Sequence, residues 1–305
     1  MTLSPRPPVV VGVDGSVSSH AALEWAVDEA GRRHLPLHLV SAWISDYSAE
    51  TTAHLQRSVE DGCRADLESA RAQVRTAAPD MEVETSLVNA QPASALIAAS
   101  RTAQAVVVGS HGLGAVTQAF VGSTCMQLAA HASCPVVVVR KTARDTAGRV
   151  VVGVDGSALS ADATAYAFDQ ASRRGLGLTA LHAWDASIYT SRLAMTVLVE
   201  TWDELEVEQA IITSAAIARW RDTYPEVDVE TRVVPGRPAD VLAEASQHAE
   251  LLVVGSRGRG GFRGLLLGSV SRSVMHRAAC PVVVVRPFPP DPPLSAPADP
   301  TRRPS

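Results

Sequence analysis

Aromatic side chains are scarce in this chain: Phe, Trp and Tyr make up 4% of its 305 residues. A core must then be filled by aliphatics, and the abundant Ala and Val suit small-residue helices packed on buried, valine-rich strands. Cysteine is also rare. Cys63, Cys125, Cys134 and Cys280 include no CxxC pair, which argues against a disulfide scaffold or a thiolate metal site and for a reducing compartment. Cys134 and Cys280 each precede a Pro-Val-Val-Val-Val run and are expected to be buried at the mouth of a strand. Polybasic runs are missing and the net charge is −5, so a duplex-binding role has no electrostatic footprint. No apolar run approaches the ~20 residues that span a bilayer. The opening MTLSPRPPVVVGVDGS also lacks a basic region followed by an apolar stretch. A cytoplasmic protein with no membrane and no nucleic-acid partner is the expectation.

What the chain does contain is one unit written twice. VVVGVDGS stands at 9–16 and again at 150–157, and LHLVSAW (37–43) answers LTALHAW (178–184). GSHG (109–112) pairs with GSRG (255–258), and CPVVVVR occurs at 134–140 and 280–286. A repeat this long is a duplicated domain rather than a solenoid unit. The spacing grows by a few residues in the second half, which places an insertion between Trp184 and Pro235.

Within the first half, apolar runs and helical spacings alternate. Strands are expected at Val9–Asp14, Leu35–Trp43, Met81–Val88, Ala105–Gly109 and Val136–Arg140. Helices are expected at Ser18–Arg33, 50–77, Ala93–Thr102 behind Pro92, and Gly122–His131. The second half repeats the pattern. Such alternation implies an α/β fold of two tandem doubly wound, Rossmann-like (HUP-type) domains, each a five-stranded parallel sheet with helices on both faces. The domains are read as 8–140 and 150–286, joined by a linker at 141–149. A Pro-rich tail at 287–305 is expected to be disordered. The CPVVVVR strands would form apolar sheet edges, and pairing the two halves would cover them. A crevice is expected where strand order reverses, at the carboxyl ends of the first and fourth strands.

The chemistry lies after the fourth strand of each half. Gly109-Ser110-His111-Gly112 is followed after nine residues by Gly122-Ser123, and Gly255-Ser256-Arg257-Gly258 after nine by Gly268-Ser269. Glycine at a strand end allows positive φ and close ligand approach. Successive amides can cradle an anion, and a helix beginning at the second Gly-Ser adds free N–H groups and its dipole. A tight strand–helix turn that binds nothing has the same appearance. Rival motifs are absent: there is no P-loop, and no GxGxxG follows the first strand.

These segments, with VGVDGS twice, PGRPADVL (235–242) and the CPVVVV strands, resemble the universal stress protein family, specifically its tandem members with the ATP motif G-2x-G-9x-G-[ST]. The resemblance covers about 8–140 and 149–286. It implies one ATP per half, with Mg2+ as an accompanying ion, a role as nucleotide-dependent regulator in stress response, and a further homodimer of tandem chains. The implied phosphate and ribose loops are Gly109, Ser110, His111, Gly112, Leu113, Gly114 and Ala115, and Gly255, Ser256, Arg257, Gly258, Arg259, Gly260 and Gly261. Gly122, Ser123 and Thr124, with Gly268, Ser269 and Val270, would complete the phosphate end. Asp14 and Asp155 would lie near the nucleotide, or simply cap the next helix. Gly12 and Gly153 would give backbone access. Val40 and Leu181 would border the adenine or belong to strand core.

Two departures from the family pattern separate the halves. Cys125 replaces a hydroxyl residue of the first motif, which puts one contact of that site in question, and Ala90 stands where the second half has Gly236. The first loop carries His111, whereas the second carries Arg257, Arg259 and Arg263, so the second site is expected to bind more tightly. No nucleophile–base motif or phosphate-loop lysine is evident. Slow ATP hydrolysis, or a chaperone-like module whose loops bind nothing, stays open. The protein partner and the signal sensed are not legible.

Overall fold

The computed structural model describes residues 6–44, 51–112, 121–140, 148–185, 198–259 and 266–286, with no side-chain description for 51–53 and 198–206. The first half runs β1 (Val9–Gly12), α1 (Val17–Arg33), β2 (Leu37–Trp43), α2 (Thr51–Ala77), β3 (Val83–Asn89), α3 (Pro92–Ala99), β4 (Ala105–Gly109), α4 (Ser123–His131) and β5 (Val136–Val139). The second runs β6 (Arg149–Gly153), α5 (Ala158–Arg174), β7 (Gly177–Trp184), α6 (Leu198–Thr223), β8 (Val229–Pro235), α7 (Pro238–Ala245), β9 (Leu251–Gly255), α8 (Ser269–Arg277) and β10 (Val282–Val285). Arg149 is the first residue of β6 and not the end of a linker, because its carbonyl accepts the Glu250 amide and starts the ladder (2.9 Å). The rest of that linker, 141–147 with Gly148 excepted, and the tail 287–305 lie outside the described residues.

The valine runs explain the sheet. Val9, Val10 and Val11 are all fully buried, as strands covered on both faces must be. Within each half the order is β3-β2-β1-β4-β5 or its counterpart β8-β7-β6-β9-β10, and every pairing is parallel. The two five-stranded units meet as the edge argument requires: β5 pairs antiparallel with β10, Val137 opposite Val283, in one ten-stranded sheet. The apolar core also crosses this seam. On one face Ala26, Val74, Val137, Phe168 and Ile217 share a cluster, and on the other Leu96, Cys125, Leu242 and Met275 share a second.

Polar contacts brace the junction. Arg140 Nη1 donates to the Ala278 carbonyl at the end of α8 (3.0 Å), and Arg286 does the same for Ala129 and Ala130 in α4. A cation there faces the negative end of the helix dipole. The insertion in the second half falls between β7 and α6, in segment 185–197 against 44–50 of the first. No helix among the described residues is long and apolar enough to cross a membrane.

Strand order reverses between β1 and β4, and again between β6 and β9, so the switch points at which such sheets bind ligands lie at the carboxyl ends of each pair. Gly12 and Gly109 end the first pair, Gly153 and Gly255 the second.

Candidate functional site

Each crevice is built from two turns. The first follows β1 or β6 and reads Asp-Gly-Ser. Its glycine takes a left-handed backbone, φ +74° at Gly15 and +75° at Gly156. The aspartate closes the turn on itself: Asp14 Oδ1 accepts the Ser16 amide at 3.0 Å, and Asp155 Oδ1 the Ser157 amide at 2.9 Å. Ser16 and Ser157 then cap α1 and α5, accepting from the amides of Ser19 and Ser160. Both aspartates therefore do shape the helix start, with the second carboxylate oxygen directed to the neighbouring loop.

That loop follows β4 or β9, and its glycines are needed for a different reason from the one expected. Gly109, Gly112, Gly255 and Gly258 are not among the residues with positive φ. Packing is the physical reason instead. A Cβ on Gly109 would lie 2.5 Å from the Ser18 carbonyl carbon, and one on Gly255 would lie 2.9 Å from the Leu159 oxygen. A Cβ on Gly112 would lie 2.8 Å from Asp14 Oδ2, and one on Gly258 would run into Asp155 Oδ2. The first glycine lets a helix start press on the strand end, and the second makes room for the aspartate. At Gly12 and Gly153 the corresponding space is taken by side chains: Leu96 Cδ1 at 3.0 Å and Leu242 Cδ1 at 3.2 Å.

Behind the loop, Ser110 and Ser256 are buried, at 3% and 1% exposure, and tie its two ends together. Their amides donate to Val139 (3.0 Å) and Val285 (2.8 Å), and their carbonyls accept the amides of Gly122 (3.0 Å) and Gly268 (2.8 Å). Gly122 and Gly268 are the N-caps of α4 and α8, and neither helix has a side-chain cap, unlike α1 and α5. The first amides of these helices, on Ser123 and Thr124 and on Ser269 and Val270, have no acceptor within their own helix. Ser123 and Ser269 are exposed. Two helix N-termini thus open beside glycine loops, a geometry that favours an anion.

The remaining expected residues divide. Val40 and Leu181 are buried at 3% and belong to the core, their carbonyls accepting the amides of Val13 and Val154 (2.9 Å each). Leu113, Gly114, Ala115, Gly260, Gly261 and Arg263 lie outside the described residues. His111 and Arg257 are partly exposed, and Arg259 is exposed. At the Ala90 departure, Ala90 and Gly236 donate the same hydrogen bond, to Trp43 and Trp184 at 2.9 Å each, with Gly236 alone of the two at positive φ, +148°.

The concern over Cys125 is also corrected. Its thiol points inward, 3.1 Å from the Gly109 carbonyl, and its counterpart Ser271 donates to the Ser256 carbonyl at 3.0 Å. Both are buried, so each fastens a helix to a strand end and neither supplies a hydroxyl to the crevice. Burial pushes the Cys125 thiol up to about 12.

Other residues near the loops gave no signal in the sequence. Ser18 Oγ donates to the His111 carbonyl, with Ser16 Oγ 3.5 Å from the same atom. Ser110 Oγ and His111 Nδ1 are 2.7 Å apart. In the second half Asp155 Oδ2 accepts the Arg259 amide at 2.9 Å. Burial alone would raise the Asp155 carboxyl, but hydrogen bonds from Ser157, Arg259 and Ser160 outweigh it and hold it below its usual 3.8. The Val121 amide, beside Gly122, donates to His276 Nδ1 of the other half at 3.2 Å. The contacts of Ser18 with His111, Asp155 with Arg259 and Val121 with His276 join positions far apart in the chain, which no local spacing announces. Among the described residues no group of three or more His, Cys, Asp or Glu gathers as a metal site.

Known proteins resemble the chain over most of its length. The model of the universal stress protein family matches twice, at 6–140 and 146–286. A universal stress protein of Mycolicibacterium smegmatis is 39% identical over 290 residues, covering 92% of this chain and 97% of that one. One from Mycobacterium tuberculosis is 39% identical over 307 residues, covering 91% and 96%. The crystal structure of a universal stress protein from Archaeoglobus fulgidus superposes with a TM-score of 0.65 at 19% identity, over 92% of this chain and 97% of that one, which is a likeness of fold.

Proposed function

The chain belongs to the universal stress protein family, and on that premise we propose that it binds one adenine nucleotide, ATP, in each half and acts as a nucleotide-dependent regulator. The observation that carries this reading is the twice-built anion site: α4 and α8 begin at Gly122 and Gly268 without a side-chain cap, each beside a glycine loop. In this reading the amides of Ser123, Thr124, Ser269 and Val270 hold the phosphates. Ser18 positions the first loop through the His111 carbonyl, and Asp155 the second through the Arg259 amide. Mg2+ commonly binds through one or two carboxylates together with substrate phosphates, so here it would be held largely by the nucleotide's own phosphates. Occupancy would bias the surface that a protein partner meets.

The test is to denature the purified protein, identify released nucleotide by mass, and count moles per chain. Up to two moles of adenine nucleotide are expected, or two calorimetric sites once the protein is stripped. The second site is expected to be tighter, and Arg257→Ala with Arg259→Ala should weaken that site alone, by about tenfold. No released nucleotide together with no thermal shift at millimolar ATP would overturn the reading.

A further inference from the structure

The strand junction that joins the halves carries no information about which half is which. Val136–Val139 and Val282–Val285 are the same four valines, so β5 could pair with another β5 as readily as with β10. Above that junction α1 and α5 meet through their side chains, and their residues correspond one for one: Trp25 with Tyr166, Asp28 with Asp169, Glu29 with Gln170, Arg33 with Arg174. Most of the seam is symmetric. Arg33 reaches Asp169 at 2.5 Å and Arg174 approaches Asp28 at 3.7 Å. Arg33 lies over the Tyr166 ring, 5.9 Å from its centre, and Arg174 over Trp25 at 5.1 Å.

The centre is not symmetric. Glu29 and Gln170 face each other across the local two-fold, 2% and 0% exposed. Gln170 Nε2 donates to Glu29 Oε1 at 2.5 Å, and Arg174 donates both to Glu29 Oε2 (2.7 Å) and to Gln170 Oε1 (2.8 Å). Arg33 Nε donates to the same Glu29 Oε1. The amide orientation is dictated by chemistry, because a carboxylate only accepts and a guanidinium only donates. Burial by itself raises the Glu29 carboxyl, and the two guanidiniums with their hydrogen bonds outweigh it and lower it.

From this geometry we infer that the Glu29–Gln170 pair is a specificity element by which the α1 face of a first half accepts the α5 face of a second half and refuses a copy of itself. Two first halves would bring two buried carboxylates to hydrogen-bond distance, and one would have to take a proton. Two second halves would keep Asp169 opposite each guanidinium but lose the central carboxylate that the two share, and taking away a buried charge's partner is strongly destabilising. Only the mixed pair sets one carboxylate between the two guanidiniums and gives it an amide donor as well. The chain is thereby directed to close on itself, although its strand edges are interchangeable.

Both rejected centres can be made inside the intact chain. Gln170→Glu reproduces the centre of two first halves, Glu29→Gln that of two second halves, and the double exchange restores a mixed pair in reverse. The groups facing this centre are Asp28, Arg33 and Arg32 on α1, Asp169, Tyr166, Arg173 and Arg174 on α5, and Tyr224 beyond α6. In Gln170→Glu one carboxyl is raised above its unfolded value, so the folded state is favoured at low pH and loses stability as pH rises. Its melting temperature is expected to fall by roughly 5 °C or more at pH 8, and by less at pH 5. Glu29→Gln should fall by a similar amount at pH 8 without that added loss on going from pH 5 to pH 8. The double exchange should recover at least half of the larger loss, with a pH profile like the parent's. Losses that simply add in the double exchange, or a Gln170→Glu chain as stable as the parent at pH 8, would overturn the inference. Should Gln170→Glu not fold, the double exchange decides alone: folded with a melting temperature near the parent's supports the inference, unfolded rejects it.

Discussion

Where the first glycine loop leaves β4, a hydroxyl holds it; where the second leaves β9, a carboxylate does. Ser18 Oγ donates to the His111 carbonyl in the first half, and the position equivalent to Ser18 in the second is Leu159. There the loop is fastened by Asp155, which accepts the Arg259 amide. The backbone frame is otherwise the same, down to the Gly122 and Gly268 amides that close on Ser110 and Ser256. The duplication has kept the glycines, which the close packing of backbone on backbone requires, and exchanged the side chains that anchor each loop. Stability of the frame and identity of the anchor are thus separable, and each can be attacked independently.

The largest expected effect attacks the shared frame. Gly109→Ala drives a Cβ to 2.5 Å from Ser18 backbone, whereas Gly255→Ala meets Leu159 at 2.9 Å. Backbone cannot swing aside as a side chain can, so overpacking here is expected to destabilise by about 3 kcal/mol at Gly109 and about 1–2 kcal/mol at Gly255. Urea unfolding of the two variants measures this. Equal losses, or a greater one at Gly255, would show that the two helix starts are not pressed on their strands as described.

A smaller effect separates the anchors. The Asp155 carboxyl is held below its usual 3.8, so what it contributes is fully present above about pH 4 and is lost as pH falls through the lower folded value. The contribution is on the order of 1 kcal/mol, that of a hydrogen bond to a charged group at a partly exposed site. Amide exchange should show residues 256–259 opening below pH 4 while 110–112 keep their protection, and Asp155→Asn should open 256–259 at neutral pH too. Parallel loss in both loops would mean that the anchors do not differ.

Much of this was legible in the chain itself. Valine runs ending in Asp-Gly-Ser placed β1, β6 and their helices, because a buried strand and an N-cap leave local marks. The repeat and the apolar CPVVVVR strands pointed to pairing between the halves, which β5 and β10 make. What stayed hidden depends on contacts between distant positions. Glu29 and Arg33 carry no mark beyond standing four residues apart on a helix, and nothing local says that Gln170 and Arg174 will close over them. Likewise Gly109 reads as a turn glycine, and only the approach of Ser18 shows that room, not φ, is what it supplies. Ser18 itself is one serine among several.

The smallest expected effect bears on whether Cys125 makes the first site inferior. Cys125 and Ser271 occupy equivalent places, each bonding a carbonyl at the end of its strand, at 3.1 and 3.0 Å. Cys125→Ser gains a stronger donor and loses some apolar burial, and Ser271→Cys does the reverse, so each should shift stability by less than about 1 kcal/mol. Because both side chains point away from the crevice, nucleotide affinity at either site should change by less than about threefold, or roughly 0.7 kcal/mol. With its thiol pushed up to about 12 and buried, Cys125 should also resist alkylation by iodoacetamide in the folded protein at neutral pH. A tenfold gain in first-site affinity on Cys125→Ser would place that side chain against the ligand. The difference between the two sites would then lie in the motif itself, and not, as the anchors argue, in the loops around it.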